Sequence, residues 1–303
     1  MQMPDDFHPA PGVPETLEPG LRRIVANNPS PMTYRGTNTY LVGEKGLAVI
    51  DPGPASDSHL AAILDAVQPG QKITHIVVTH SHTDHSPLSR ALSAETGAPV
   101  LAYGSATAGR SAVMEALATN SQIAGGEGID AEFVPDITVS DRETIWGDGW
   151  SLKALHTPGH IGNHLCFAWN DACFTADTVM AWSTSLVSPP DGDLTDFMAS
   201  CRRLQEHSWR IFYPGHGPAV TEPAKRLKWL IQHRQSREGE ILGKLSQSPA
   251  TARELAAAIY VDTPPALLGA ATRNVLAHLI DLAGQNKVVI RGNLTADTTF
   301  ERR

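Results

Sequence analysis

The sequence predicts an α/β protein built in layers, with a small helical unit at its C-terminal end. Three observations lead there. Short apolar runs bounded by Gly, Pro and Asp alternate with helically spaced segments between residues 39 and 213, the pattern of buried sheets covered by helices. Histidines fall where those runs end, the places where a rigid scaffold displays reactive groups. Near residue 222 the texture changes to long helical periodicity.

Residues 1–20 are proline-rich without periodicity and read as an extended arm. Residues 39–42 and 47–50 are paired strands closed by Asp51-Pro52-Gly53-Pro54. Residues 58–67 carry Leu60, Ile63, Leu64 and Val67 on one helical face. A β-branched strand at 73–78, a helix at 87–96 and a strand at 100–103 follow. The same vocabulary returns as strands at 151–155, 165–169, 173–175 and 211–213, with a helix at 196–207. The remainder, residues 223–303, forms a separate unit behind a catalytic domain of residues 21–222. It holds helices at 223–245, 251–259 and 265–283, a strand at 288–291 and a turn at Gly292-Asn293. Thr251 with Glu254 matches a capping box. Three helices and a hairpin are the elements of a winged helix.

At 303 residues and 41% hydrophobic, the chain can bury a sizeable core. Its net charge of −8 argues against general nucleic-acid binding, although residues 225–303 hold 12 Lys+Arg against 7 Asp+Glu. Cys166, Cys173 and Cys201 show no C-x-x-C spacing and read as reduced core thiols. No basic-then-apolar leader and no membrane-length apolar run is present, so the expected location is the cytoplasm.

The decisive segment is Thr79-His80-Ser81-His82-Thr83-Asp84-His85. Imidazole nitrogen and carboxylate oxygen are the donors that borderline ions such as Zn²⁺ prefer. Residues two apart in an extended loop point the same way, so His80 and His82 can reach one ion while Asp84 and His85 turn to a second. His156-Thr157-Pro158-Gly159-His160, Asp177 at a strand end, and Pro214-Gly215-His216-Gly217 supply further donors. Each is weak alone, since Asp and Pro-Gly segments commonly just make turns. Together they describe two divalent ions, with Zn²⁺ first and Fe or Mn as alternatives for a His/Asp donor set.

In that order these motifs resemble the metallo-beta-lactamase superfamily in its two-metal, glyoxalase II-like branch, across residues 20–220. The resemblance implies a four-layer αββα sandwich with its site at the edge between two sheets. It implies His80, His82 and His160 on the first metal, Asp84, His85 and His216 on the second, and Asp177 bridging them. His156 competes with His160, but the family pattern and the preceding glycine favour His160. Asp51 matches an early Asp-x-Gly turn of the family, implying that it orients ligands from behind them; a plain turn is the other reading. His164 is either such an outer residue, a substrate contact, or merely structural. Ser86-Pro87 departs from the glycine that members often carry there, and Pro87 suits the first turn of a helix. Residues 235–242, 252–260 and 275–282 with Lys287-Val288 resemble the winged helix appended to the beta-lactamase-like-protein-2 group, some members of which are endoribonucleases acting on single strands.

Such a site implies a hydrolase in which two cations lower the pKa of a shared water to about 7, with Asp84 orienting the nucleophile or shuttling its proton. The expected substrate is a small thioester, ester or lactone. Single-stranded RNA and an iron-dependent oxygenation are the alternatives. A dedicated antibiotic-cleaving lactamase fits poorly, because those relatives usually lack a bridging carboxylate where Asp177 stands. No membrane partner is expected, and self-association would run through the C-terminal unit.

Overall fold

A computed structural model describes residues 6–120, 123, 125–295 and 297–303. Residues 1–5 of the expected arm lie outside it. The first sheet contains β1 (Glu15–Glu18), β2 (Leu21–Val25), β3 (Asn38–Val42), β4 (Gly46–Ile50), β5 (Lys72–Val77), β6 (Val100–Ala102) and β7 (Ile137–Thr138), ordered in space as in sequence. Its first four strands are antiparallel neighbours, and β4 through β7 are parallel. Parallel pairing requires crossovers. These contain α1 (Asp57–Asp65), α2 (Leu88–Thr96) and α3 (Ala112–Asn120).

The second sheet is made from β8 (Thr144–Trp146), β9 (Ser151–His156), β10 (Leu165–Trp169), β11 (Ala172–Ala176) and β12 (Ile211–Pro214), in the order β12-β11-β10-β9-β8. Helix α4 (Leu194–Gln205) connects the parallel pair β11 and β12.

Alternation along the strands explains why the two sheets stack. Tyr40, Val42, Ala48 and Ile50 face inward and meet Ala154, Phe167 and Phe174 of the opposite sheet. Between them, Leu41 and Val49 face outward and pack with Ile63 of α1 and Leu88 and Leu92 of α2. On the second sheet, Cys166, Cys173 and Phe212 face outward against Leu194, Phe197 and Leu204 of α4. Successive side chains on a strand point to opposite faces, so strands buried on both sides read as continuous apolar runs. The result is an αββα sandwich. All three cysteines are free and buried.

Within the described part of the arm, Glu15–Glu18 pair with β2 as an edge strand. Phe7 is buried in a small aromatic cluster, stacked on Tyr34, which stacks on Trp182.

The C-terminal elements are α5 (Pro223–Leu245), α6 (Ala252–Ile259), α7 (Leu268–Gly284), and the strands β13 (Ala250–Thr251), β14 (Val288–Ile290) and β15 (Thr299–Arg302). Thr251 and Glu254 form the capping box that starts α6. Strand order β13-β15-β14 makes the wing. Helix α5 belongs to two cores: Leu227 and Leu230 pack on the second sheet, while Ile241 and Leu245 join α6, α7 and the wing. Met114 and Ile123, from the crossover after β6, also enter that C-terminal core. No helix among the described residues is long and apolar enough to cross a membrane.

Candidate metal centre

Five strands of the sandwich end at one place. Asp51 follows β4, the segment 78–85 follows β5, Thr157–His160 follow β9, Asp177 follows β11, and Gly215-His216 follow β12. β4 and β5 are parallel, as are β11 and β12, and β9 runs with β11 because both are antiparallel to β10. Carboxyl ends from both sheets therefore open on the same edge.

The backbone there is unusual. Asp51 has φ 51° and Ala176 has φ 40°, left-handed values that cost a non-glycine residue about 1–3 kcal/mol and gather at functional sites. Two glycines are required by close approach. A Cβ on Gly215 would lie 2.5 Å from Asp177 Oδ1, and one on Gly159 (φ +137°) would strike the Phe197 backbone at 2.3 Å.

Two groups of donor atoms result. In the first, His82 Nδ1 lies 3.0 Å from His80 Nε2 and 2.9 Å from His160 Nε2, with Asp177 Oδ2 3.6 Å from His160 Nε2. In the second, His85 Nε2 and His216 Nε2 are 3.3 Å apart, and Asp84 Oδ2 is 3.6 and 3.2 Å from them. Asp177 Oδ1 stands 3.5 Å from His85 Nε2 and 3.4 Å from His216 Nε2. One carboxylate thus turns one oxygen to each group. Both groups could hold a metal ion by their donor spacing.

Chemistry supports that fit. Nδ1 of His80, His85, His160 and His216 each has an oxygen partner: Thr79 Oγ1, Asp51 Oδ2, the Leu186 carbonyl and the Gly36 carbonyl. Such partners fix the tautomer and aim the other nitrogen into the centre. There the nitrogens crowd one another, and a neutral imidazole has only one N–H to offer. A tetrahedral zinc with bonds of about 2.0–2.1 Å would separate its nitrogen donors by about 3.3 Å, close to the spacing found. Asp177 Oδ1 is buried without a hydrogen-bond partner, which a cation would supply.

The electrostatics divide the two groups. Burial, with His85 and His82 adding to it, pushes His80 well below the ordinary imidazole range, and burial with His160 takes His82 down to about 3. These rings are neutral and ready to donate. In the second group burial acts the same way but is outweighed: Asp84, Asp177 and Asp51 raise His85 to about 9, and Asp177 and Asp84 raise His216 well above its usual range. Burial likewise opposes ionisation of both carboxyls, yet His85 and His216 hold Asp84 and Asp177 below the usual carboxylate range.

Asp51 sits directly behind the centre. Its Oδ1 accepts from Thr79 N at 2.7 Å, while Oδ2 accepts from Thr79 Oγ1 at 2.7 Å and meets His85 Nδ1 at 2.8 Å. His164 is fully buried, held through Nδ1 by Thr157 and Thr178, with its ring 5.1 Å from that of His80. It packs behind the donors and reaches no solvent. His156 turns away, stacks on Tyr103 at 3.8 Å and bonds the Gly162 carbonyl. Sequence reasoning missed Thr79 and the carbonyls of Leu186 and Gly36. A hydroxyl beside the histidine motif could have flagged Thr79, whereas a backbone carbonyl leaves no residue-type signal.

Fold and donor geometry define a metal-dependent hydrolase class, and comparison with known proteins agrees. Residues 32–216 match the metallo-beta-lactamase superfamily and residues 251–294 match the beta-lactamase associated winged helix domain. The chain belongs to the metallo-beta-lactamase superfamily. It is 30% identical to a beta-lactamase-like protein 2 homolog of Drosophila melanogaster over 94% of each chain. It is also 30% identical to an atrochrysone carboxyl ACP thioesterase of Aspergillus fumigatus, over 77% of this chain and 67% of that one. A beta-lactamase domain protein from Burkholderia ambifaria shares the fold, with TM-score 0.81 at 18% identity over 99% of this chain and 96% of the other.

Proposed function

We propose that this enzyme is a dinuclear zinc hydrolase acting on a small thioester or related ester. The observation that carries the reading is Asp177, whose two oxygens are divided between two clusters of imidazole nitrogens. His80, His82 and His160 would hold one ion, Asp84, His85 and His216 the other, and Asp177 both. When bound, such ions supply Lewis acidity and hydroxide at neutral pH. The chain's own residues do the positioning. Asp84 has a side chain 24% exposed against 10% for Asp177, so it is the more accessible carboxylate and would be the one to orient an attacking water. Asp51 and Thr79 fix His85 and His80 from behind. The three cysteines are buried, so nothing here calls for a thiol nucleophile.

Thioester chemistry is favoured by the relative named as an acyl-carrier thioesterase. Single-stranded RNA is the second reading, motivated by the basic balance of residues 225–303. Much of that charge is already engaged: Lys225, Arg237, Lys287 and Arg291 sit in ion pairs, and Arg226 and Arg234 donate to backbone carbonyls. These are six of the twelve basic residues, and their engagement thins the charge that could follow a phosphate backbone.

The test is release of free thiol from an acyl-glutathione thioester by zinc-loaded protein, beside an Asp177→Ala variant. Turnover that the variant lacks is expected. Absence of thiol release together with cleavage of a single-stranded RNA would overturn the thioester reading.

A further inference from the structure

The segment 185–189 lies between the metal centre and the C-terminal helices, and it is gripped from both sides. Toward the centre, Ser185 Oγ donates to the backbone carbonyls of Asp177 and Thr178, and the Leu186 carbonyl meets His160 Nδ1 at 2.6 Å. Toward the C-terminal side, Arg234 of α5 donates through Nη2 to the Ser185 carbonyl at 2.5 Å and through Nη1 to Asn274 Oδ1 at 3.0 Å. That same Asn274 oxygen, on α7, accepts from Val187 N at 3.1 Å. Arg273, its neighbour on α7, donates through Nε to Ser188 Oγ at 2.7 Å and through Nη2 to the Pro189 carbonyl.

Arg234 is the informative member. It is only 3% exposed, and no carboxylate among the described residues pairs with it. Burying a guanidinium without an acid is unfavourable, whereas an aliphatic side chain would fill the same space and pack against Phe197, over whose ring the Arg234 guanidinium lies at 5.1 Å. What an aliphatic residue cannot do is hold the Ser185 carbonyl and the Asn274 amide oxygen at once. The forked donor geometry suits that task.

We infer that Arg234, Asn274 and Arg273 form a clamp by which the C-terminal helices set the positions of His160 and Asp177, making these three positioning residues for the first metal-binding group. The inference rests on the dinuclear reading above. It assigns the winged-helix unit a role in the chemistry that requires no nucleic acid: the unit templates a loop that carries two links into the centre. Releasing the loop frees the His160 ring to rotate about its Nδ1 contact and loosens the turn that holds Asp177, while His85 and His216 stay anchored through Asp51 and Gly36.

The experiment is a zinc titration of the full-length chain against a chromophoric chelator, with zinc per chain measured after dialysis. Asn274→Ala removes the shared acceptor and should weaken one of two zinc ions by about 10–100-fold, the usual consequence of losing an outer ligand partner. Asn274→Asp retains the accepting oxygen and should restore wild-type affinity. Arg273→Ala, which frees Ser188 and Pro189, should weaken the same ion and covers the case in which Asn274→Ala does not fold. Thr195→Ala is the control, since it removes the Thr195–Asp281 contact between α4 and α7 without touching the loop, and it should leave both affinities unchanged. Wild-type affinity in both Asn274→Ala and Arg273→Ala would overturn the clamp while leaving the metal centre standing. An equal loss in Thr195→Ala would overturn it too, by showing that general docking of α7 is what matters. Wild-type protein that takes up no zinc would overturn the dinuclear reading and the clamp with it.

Discussion

Replacing Asp177 probes the centre most directly, because its oxygens lie 3.4–3.6 Å from imidazole nitrogens of both groups. The size of the effect follows from the donor count. Four-ligand zinc sites bind with roughly 10–16 kcal/mol, so each donor contributes about 3 kcal/mol, and losing one weakens binding about 100-fold. On the dinuclear reading, Asp177→Ala would remove a donor from both groups and a negative charge from between two dications, so at least one ion should be lost on dialysis against micromolar free zinc. Asp177→Asn keeps the shape and one carbonyl oxygen, and should fall between the variant and wild type. The Ser185 hydroxyl bonds the Asp177 backbone carbonyl, not its side chain, so the turn itself is preserved in both variants. Zinc per chain by mass spectrometry, alongside circular dichroism to confirm folding, reads the outcome. Two ions retained in Asp177→Ala with wild-type affinity would refute the bridging role.

Three further outcomes are expected. Asp51→Ala strands the Thr79 N–H, the Thr79 hydroxyl and His85 Nδ1, and should lower zinc affinity about 10–100-fold; an unchanged titration would make Asp51 a plain turn residue. Gly215→Ala places a methyl 2.5 Å from Asp177 Oδ1 and 2.8 Å from His85 Cε1, and should cost about 1–3 kcal/mol of stability by overpacking as well as metal, measured by urea unfolding with and without chelator. His278 is pushed down to about 3 by burial, with Arg234, His233 and Arg237 nearby. The folded protein therefore excludes a proton that the unfolded chain binds below about pH 6.5. Stability is full above that pH and falls as pH drops toward 3, by up to about 1.4 kcal/mol per pH unit. His278→Leu should flatten the slope of the urea midpoint between pH 7 and 5, and an identical slope would refute the assignment.

The candidate metal centre was legible because its proposed donors are side chains of unusual type placed at strand ends. His80, His82, Asp84, His85, His160, Asp177 and His216 could be singled out by residue type and order, and the fold brings all seven to one edge. Choosing between His156 and His160 took a residue pattern in the sequence and a stacking partner in the structure, Tyr103, which lies far away in the chain. Most of the elements that escaped were short or polar, although α3, nine residues long and largely apolar, escaped as well. Strand β2 carries Arg22 and Arg23 between buried Leu21 and Ile24, and the charge masked its period. Arg23 is tolerated because its guanidinium lies over the Phe7 ring and pairs with Glu15. Both partners come from the arm, which also hid an edge strand: β1 itself holds no proline, but Pro14 and Pro19 on either side of it masked a four-residue strand. Strands β8 and β15, of 3 and 4 residues, fall below the length at which alternation can be read.

What holds the donors in place is a different matter from what the donors are. Two of the four oxygen partners at the histidine Nδ1 atoms are side chains close in sequence to the motif or its turn, Thr79 and Asp51. The other two are the backbone carbonyls of Gly36 and Leu186, which any residue could provide. Their positions are set at a distance. Asn28 fixes Thr37 beside the first carbonyl, and Arg234 and Asn274 fix the residues on either side of the second. A chain of this kind can keep every ligand and still alter the strength or balance of its two sites through changes in the loop at 28–37 or in the C-terminal helices. One donor set can then serve different chemistries on the same sandwich, and the residues that distinguish them need not touch the metal.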